Sequence, residues 1–232
     1  MKFTTLLFDA DGTLLDFDAT EKRALQRVFD LHHYPLTNEM KKRYQDINAQ
    51  LWSAYEEGEI SREAVIYTRF GKLFREFGIA DDGIAFEDIY QKELGRGHDM
   101  IPHAMEVVRR LYLQYRMCIV TNGVVATQYA RLRDSGLDAY FHHMFVSEEI
   151  GFRKPDRSYF DNCFARLNGA KRNRTLIIGD SLSSDMQGGI NAGISTCWYN
   201  PDGKKNHKQL PLTYEIRDLR ELYTILEEEN DG

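Results

Sequence analysis

Apolar residues fall into two kinds of stretch along the chain. Short runs rich in β-branched and other apolar residues at 3–8, 117–120, 144–146, 176–178 and 195–199 predict buried strands, alternating with stretches of helical spacing. Pro102 and Pro155 stand where first helical turns are expected, and Gly136, Gly169 and Gly193 where helices should stop before the next strand. This alternation predicts a parallel sheet covered by helices on both faces.

The pattern breaks once. Between the first strand and the strand at Met117 lie roughly eighty residues more than a simple crossover needs. Residues 16–97 read as helical throughout: Asp18-Ala19-Thr20-Glu21 resembles a capping box, and Thr37 and Ser61 are expected to cap two further helices. Phe70, Phe74 and Phe77 recur at i, i+4 and i+7, which gives one helix an apolar face for packing in a small bundle. The expected organisation is an α/β core of residues 1–15 and 98–232, with an α-helical cap domain, 16–97, inserted after the first strand.

Composition narrows the possible functions. With 232 residues, 42% of them hydrophobic and 28% charged, the chain can bury a core large enough for an enzyme. A net charge of -6 argues against a nucleic-acid polymer as partner, although a small anion remains compatible. Cys118, Cys163 and Cys197 form no Cys-x-x-Cys pair, and no apolar stretch approaches the length of a secretory leader or a membrane span, so a reduced, cytoplasmic protein is expected. The acidic end EEENDG reads as a solvated helix terminus.

The chemistry follows the strands. In an open parallel sheet, ligands bind beyond the carboxyl ends of the strands, and polar clusters lie there: Asp9-Ala10-Asp11-Gly12-Thr13, Thr121-Asn122-Gly123, and Gly179-Asp180-Ser181-Leu182-Ser183-Ser184-Asp185. Lys154, in Arg153-Lys154-Pro155-Asp156, opens the helix before the last of these strands. Asp9, Asp11, Asp180 and Asp185 gathered at one edge could not all ionise uncompensated, and hard oxygen ligands of this kind suit Mg²⁺. Lys154 adds positive charge, while Thr121 and nearby backbone N–H groups offer donors to a phosphate.

DADGT, TNG, RKPD and GDSLSSD, in that order, resemble the four motifs of the haloacid dehalogenase-like (HAD) hydrolase superfamily, and the resemblance covers essentially the whole chain. It implies a Rossmann-like parallel sheet with a helical cap. It also implies that Asp9 attacks phosphorus and carries an aspartyl-phosphate, while Asp11 protonates the leaving oxygen and then takes a proton from the hydrolytic water. Mg²⁺ would be held by Asp9, the Asp11 main-chain carbonyl and Asp180, with Asp185 either on the ion itself or on a group bound to it, and Thr121 and Lys154 would hold phosphoryl oxygens. Asn122 would either bind phosphate or serve the tight turn before Gly123. Haloacid dehalogenases proper carry tyrosine where this chain has Asp11, so the resemblance points to a phosphatase.

Substrate choice in this architecture is expected to come from the cap. The stretch LWSAYEEGEISREAVIYTRF, with Trp52, Tyr55 and Arg69 as candidate specificity residues, and INAGISTCWYN at 190–200 resemble bacterial pyrimidine 5′-nucleotidases that clear non-standard nucleotides. The expected partner is therefore a small phosphorylated metabolite, foremost a nucleoside monophosphate. A sugar phosphatase, a phosphoglycolate phosphatase and a phosphomutase are the alternatives; a non-enzymatic scaffold would have no need of the nucleophile and metal acids.

Overall fold

Leu6 and Phe8 point to one side of the first strand and Leu7 to the other, and this alternation builds the core. The computed structural model describes residues 3–228. Among these, six strands form one sheet: β1 (Thr5–Phe8), β2 (Arg116–Thr121), β3 (His143–Val146), β4 (Thr175–Gly179), β5 (Ser195–Tyr199) and β6 (Tyr214–Ile216). All are parallel, in the order β3-β2-β1-β4-β5-β6. The fold is the expected α/β arrangement, with β6 added. Three residues flanked by polar neighbours give too short a run for the periodicity to register.

The chain divides into two compact units, Met1–Phe17 with His98–Gly232, and Asp18–Gly97. Asp16 and Phe17 thus go with the core. The second unit contains nearly all of α1 (Phe17–Leu31) together with α2 (Asn38–Glu57), α3 (Arg62–Phe77) and α4 (Ile84–Gly95). Thr37 accepts the Met40 N–H at 3.1 Å and Ser61 the Ala64 N–H at 3.2 Å, so both expected caps form, each stabilising by about 1 kcal/mol. The expected capping box does not form. Helix α1 already starts at Phe17, and Glu21 turns inward to accept from Asn48 Nδ2 at 3.1 Å. Phe70 and Phe74 are buried against Phe29 and Phe86, with ring centroids 4.6 Å apart for Phe70 and Phe86 and 6.1 Å for Phe29 and Phe74.

The remaining helices are α5 (Ala104–Leu111), α6 (Val125–Ser135), α7 (Ser147–Ile150), α8 (Arg157–Arg166), α9 (Gln187–Ala192) and α10 (Glu221–Glu228). Val107, Val108, Leu132 and Leu222 pack with Leu6, Phe8, Ile119 and Ile178, so α5, α6 and α10 cover one face of the sheet. Ile150, Tyr159, Phe160 and Ala192 pack with Leu7, Cys118, Val120 and Ile177, so α7, α8 and α9 cover the other. Each fully buried Leu or Phe contributes about 2 kcal/mol, and both faces of the strands are closed to water. All three cysteines are buried free thiols. No helix among the described residues is long and apolar enough to cross a membrane. Of the acidic end, residues 229–232 lie outside the described residues.

Candidate active site

The strand order reverses direction at β1, which is flanked by β2 and β4, and in open sheets this is where the crevice for ligands opens. Asp9 follows β1 directly, its N–H bonded to Ile178 O of β4 at 2.9 Å, and Asp180 follows β4. Two glycines let the carboxylates crowd together. A Cβ on Gly12, which has φ +75°, would lie 2.7 Å from Asp180 Oδ2, and a Cβ on Gly179 would collide with the Asp185 carboxylate. Thr13 Oγ1 donates to Asp180 Oδ1 at 3.3 Å, and the Ser181 N–H donates to Asp185 Oδ2 at 3.1 Å. Asp9, Asp180 and Asp185 each offer an oxygen within 4.8 Å of the others.

Lys154 stands between them. Its ammonium donates to Asp9 Oδ1 at 2.5 Å, to Asp185 Oδ1 at 2.7 Å and to Val120 O at 2.8 Å, which accounts for all three of its protons. Burial alone would depress its pKa, but the Asp185 and Asp9 carboxylates outweigh that and hold it above the ordinary lysine range. Burial raises Asp9 well above the usual carboxylate range; Lys154 opposes the rise, and Asp185, Asp180 and Asp11 reinforce it. Asp180 keeps an exposed side chain, yet desolvation and then the Asp185 charge push it up to about 7. The cluster carries more negative charge than its own cations balance.

Asp11 has a different set of partners, which sequence reading missed. Its Oδ1 accepts from the fully buried Arg131 and its Oδ2 from Gln128 Nε2 at 2.8 Å. Gln128 Nε2 also donates to Thr121 Oγ1 at 2.8 Å, and the Gly123 N–H reaches the same oxygen at 3.1 Å. With both lone pairs of its hydroxyl occupied, Thr121 retains its proton for a ligand oxygen. The available signal was a glutamine and an arginine at i, i+3 on the side of α6 that carries the core residue Leu132, just after TNG.

The other expected site residues fall elsewhere. Asn122 uses both ends of its amide on the main chain of Lys154, donating to its carbonyl at 2.9 Å and accepting its N–H at 2.9 Å. These bonds tie the turn after β2 to the loop that carries Lys154, a role distinct from both the phosphate contact and the local turn expected from the sequence. Arg69 is buried inside the cap, paired to Glu87 at 2.5 and 2.8 Å and to Asn48 Oδ1 at 2.9 Å, so its guanidinium is occupied within the bundle and is withdrawn as a specificity residue. Trp52 is half-buried, edge-on to the buried Tyr55 with ring centroids 5.7 Å apart.

Residues 3–193 match the family of haloacid dehalogenase-like hydrolases. The chain is 49% identical to the Bacillus subtilis protein YfnB over 99% of its own length and 97% of that protein. The crystal structure of YfnB bound to magnesium superposes with a TM-score of 0.93, covering 97% of this chain and 99% of that one. The pyrimidine 5′-nucleotidase PynA of Streptococcus pneumoniae is 38% identical, with 98% of this chain and 96% of PynA covered. The pyrimidine 5′-nucleotidase YjjG of Escherichia coli is 31% identical, with 97% and 99% covered. The chain belongs to the haloacid dehalogenase-like hydrolases.

Proposed function

We propose that this haloacid dehalogenase-like hydrolase is a Mg²⁺-dependent phosphomonoesterase whose preferred substrates are nucleoside 5′-monophosphates, pyrimidines foremost. The observation that carries the reading is the carboxylate cluster around Asp9, which Lys154 compensates only in part, with a second aspartate, Asp11, held two residues away by separate partners. The nucleotide preference is supported by two relatives named pyrimidine 5′-nucleotidases that align along nearly the whole chain.

The donor set fits Mg²⁺: three carboxylates, Asp9 and Asp185 buried and Asp180 open to solvent, all hard oxygen ligands, with excess negative charge. Asp9, Asp180 and Asp185 would hold the ion, which when bound neutralises phosphoryl charge and polarises the ester. The chain's own groups then account for the transfer. An oxygen of Asp9 forms a bond to phosphorus as the ester P–O bond breaks, and the departing oxygen takes a proton from Asp11. In the second half, water attacks the phosphorus of the aspartyl-phosphate and gives a proton to Asp11, releasing phosphate and the Asp9 carboxylate. Lys154 holds charge beside the nucleophile throughout, and the Thr121 hydroxyl donates to a phosphoryl oxygen.

The test is phosphate release from UMP, dUMP, dTMP, purine monophosphates, sugar phosphates and phosphoglycolate, each with and without Mg²⁺. The pyrimidine nucleotides should give the highest kcat/KM, and only with the metal. Much faster turnover of sugar phosphates or phosphoglycolate would overturn the substrate assignment.

A further inference from the structure

Gln128 and Arg131 tie together two groups with different tasks. One amide nitrogen, Gln128 Nε2, reaches Asp11 Oδ2 and Thr121 Oγ1, both at 2.8 Å. Arg131 donates to Asp11 Oδ1 and to Gln128 Oε1, the latter at 3.3 Å, which fixes which end of the amide faces the two. Gln128 is 1% exposed and Arg131 0%, so neither is a surface side chain resting against the site by chance. Gly123 completes the arrangement, because a Cβ there would lie 2.7 Å from the Gln128 side chain.

An aspartate that is only partly buried, as Asp11 is, has several rotamers open to it, and proton delivery to a leaving oxygen needs one of them. We propose that Gln128 and Arg131 are positioning residues that lock Asp11 in line with the leaving oxygen and, through the shared amide, fix the Thr121 hydroxyl toward the phosphoryl group. The assignment rests on the phosphatase reading and concerns residues outside the four sequence motifs. The effect of the clamp is specific to substrates whose leaving group needs a proton. Nucleoside monophosphates do; a nitrophenyl phosphate, which expels a stable phenolate, does not.

The experiment measures single-turnover release of uridine from UMP and of nitrophenolate from p-nitrophenyl phosphate, with enzyme in excess, so that only the first transfer is read. In Arg131→Met and Gln128→Leu the ratio of the two rate constants, UMP over aryl phosphate, should fall at least tenfold, as it does in Asp11→Asn. Gln128→Leu should also raise KM for both substrates, because Thr121 loses a partner. Arg131→Lys should restore part of the ratio. A ratio unchanged within twofold in both clamp variants, while Asp11→Asn lowers it, would overturn this inference alone. A ratio unaffected by Asp11→Asn would overturn the phosphatase reading beneath it. Should Arg131→Met fail to fold, Gln128→Leu carries the same test.

Discussion

The cap and the core each bury a knot of ionisable side chains, and the two are built on opposite terms. In the cap, Arg69 grips Glu87 through two bonds and Asn48 through a third, Gln91 donates to Glu87 at 2.7 Å, Asn48 donates to Glu21, and the Tyr44 and Tyr90 hydroxyls bond to each other at 2.9 Å. In the core, the ion pairs that Asp9, Asp11, Asp180 and Asp185 make among the described residues are with two cations, Lys154 and Arg131. Both knots push a carboxylate to about 7, Glu21 in one and Asp180 in the other, with burial the first cause in each. The shift therefore does not separate them. What does is the excess of like charge around Asp180 together with its access to solvent, against the closed network around Glu21. A satisfied network holds a fold, and an unsatisfied one awaits a ligand.

Asp9→Asn tests the contrast most sharply. It should lower phosphate release by on the order of 10⁴-fold while leaving the thermal midpoint unreduced, because it removes one of several repelling carboxylates. A large loss of stability with activity retained would put the core knot in the same class as the cap's. Arg69→Met should do the reverse: a stability loss of about 3–5 kcal/mol by urea unfolding, with kcat of the folded enzyme changed little. Removing both charges, Arg69→Met with Glu87→Leu, should recover most of that loss, since no buried carboxylate is then left unpaired.

Proton linkage gives a finer test. Glu21 rises from 4.5 to about 7 on folding, so the native state keeps a proton that the unfolded chain has released within that window. Stability contributed by this group is full below the unfolded pKa and falls as pH rises through the folded one, by about 3 kcal/mol in all. Glu21→Gln keeps the acceptor for Asn48 and should remove this slope, becoming more stable than wild type at pH 8; identical pH profiles would show that the cap knot does not titrate. The smallest effect expected is metal stabilisation. At a Mg²⁺ concentration one hundred times Kd the folded protein should gain about 2.7 kcal/mol, a gain lost in Asp180→Asn or Asp185→Asn and kept in Glu21→Gln.

Three of the four motifs could be read without a structure because they follow β1, β2 and β4, and a parallel sheet brings all its carboxyl ends to one edge; the fourth, with Lys154, lies in the loop before α8 and reaches the same edge from there. Residue type and position in the chain therefore determined Asp9, Asp11, Asp180, Asp185, Thr121 and Lys154 as one group, and the helical insert announced itself by interrupting the alternation. The structure was needed wherever a helix face decided the outcome. Arg69 in a cap helix reads from the sequence as a candidate specificity residue, yet its rotation about the helix axis and the crossing of α2, α3 and α4 aim it at Glu87 and Asn48. Gln128 and Arg131 read as an ordinary stretch of α6 until the packing of Leu132 against the sheet turns them toward Asp11. Strand ends are set by local pattern, whereas the direction a helical side chain faces depends on how its helix packs, which only the folded chain specifies.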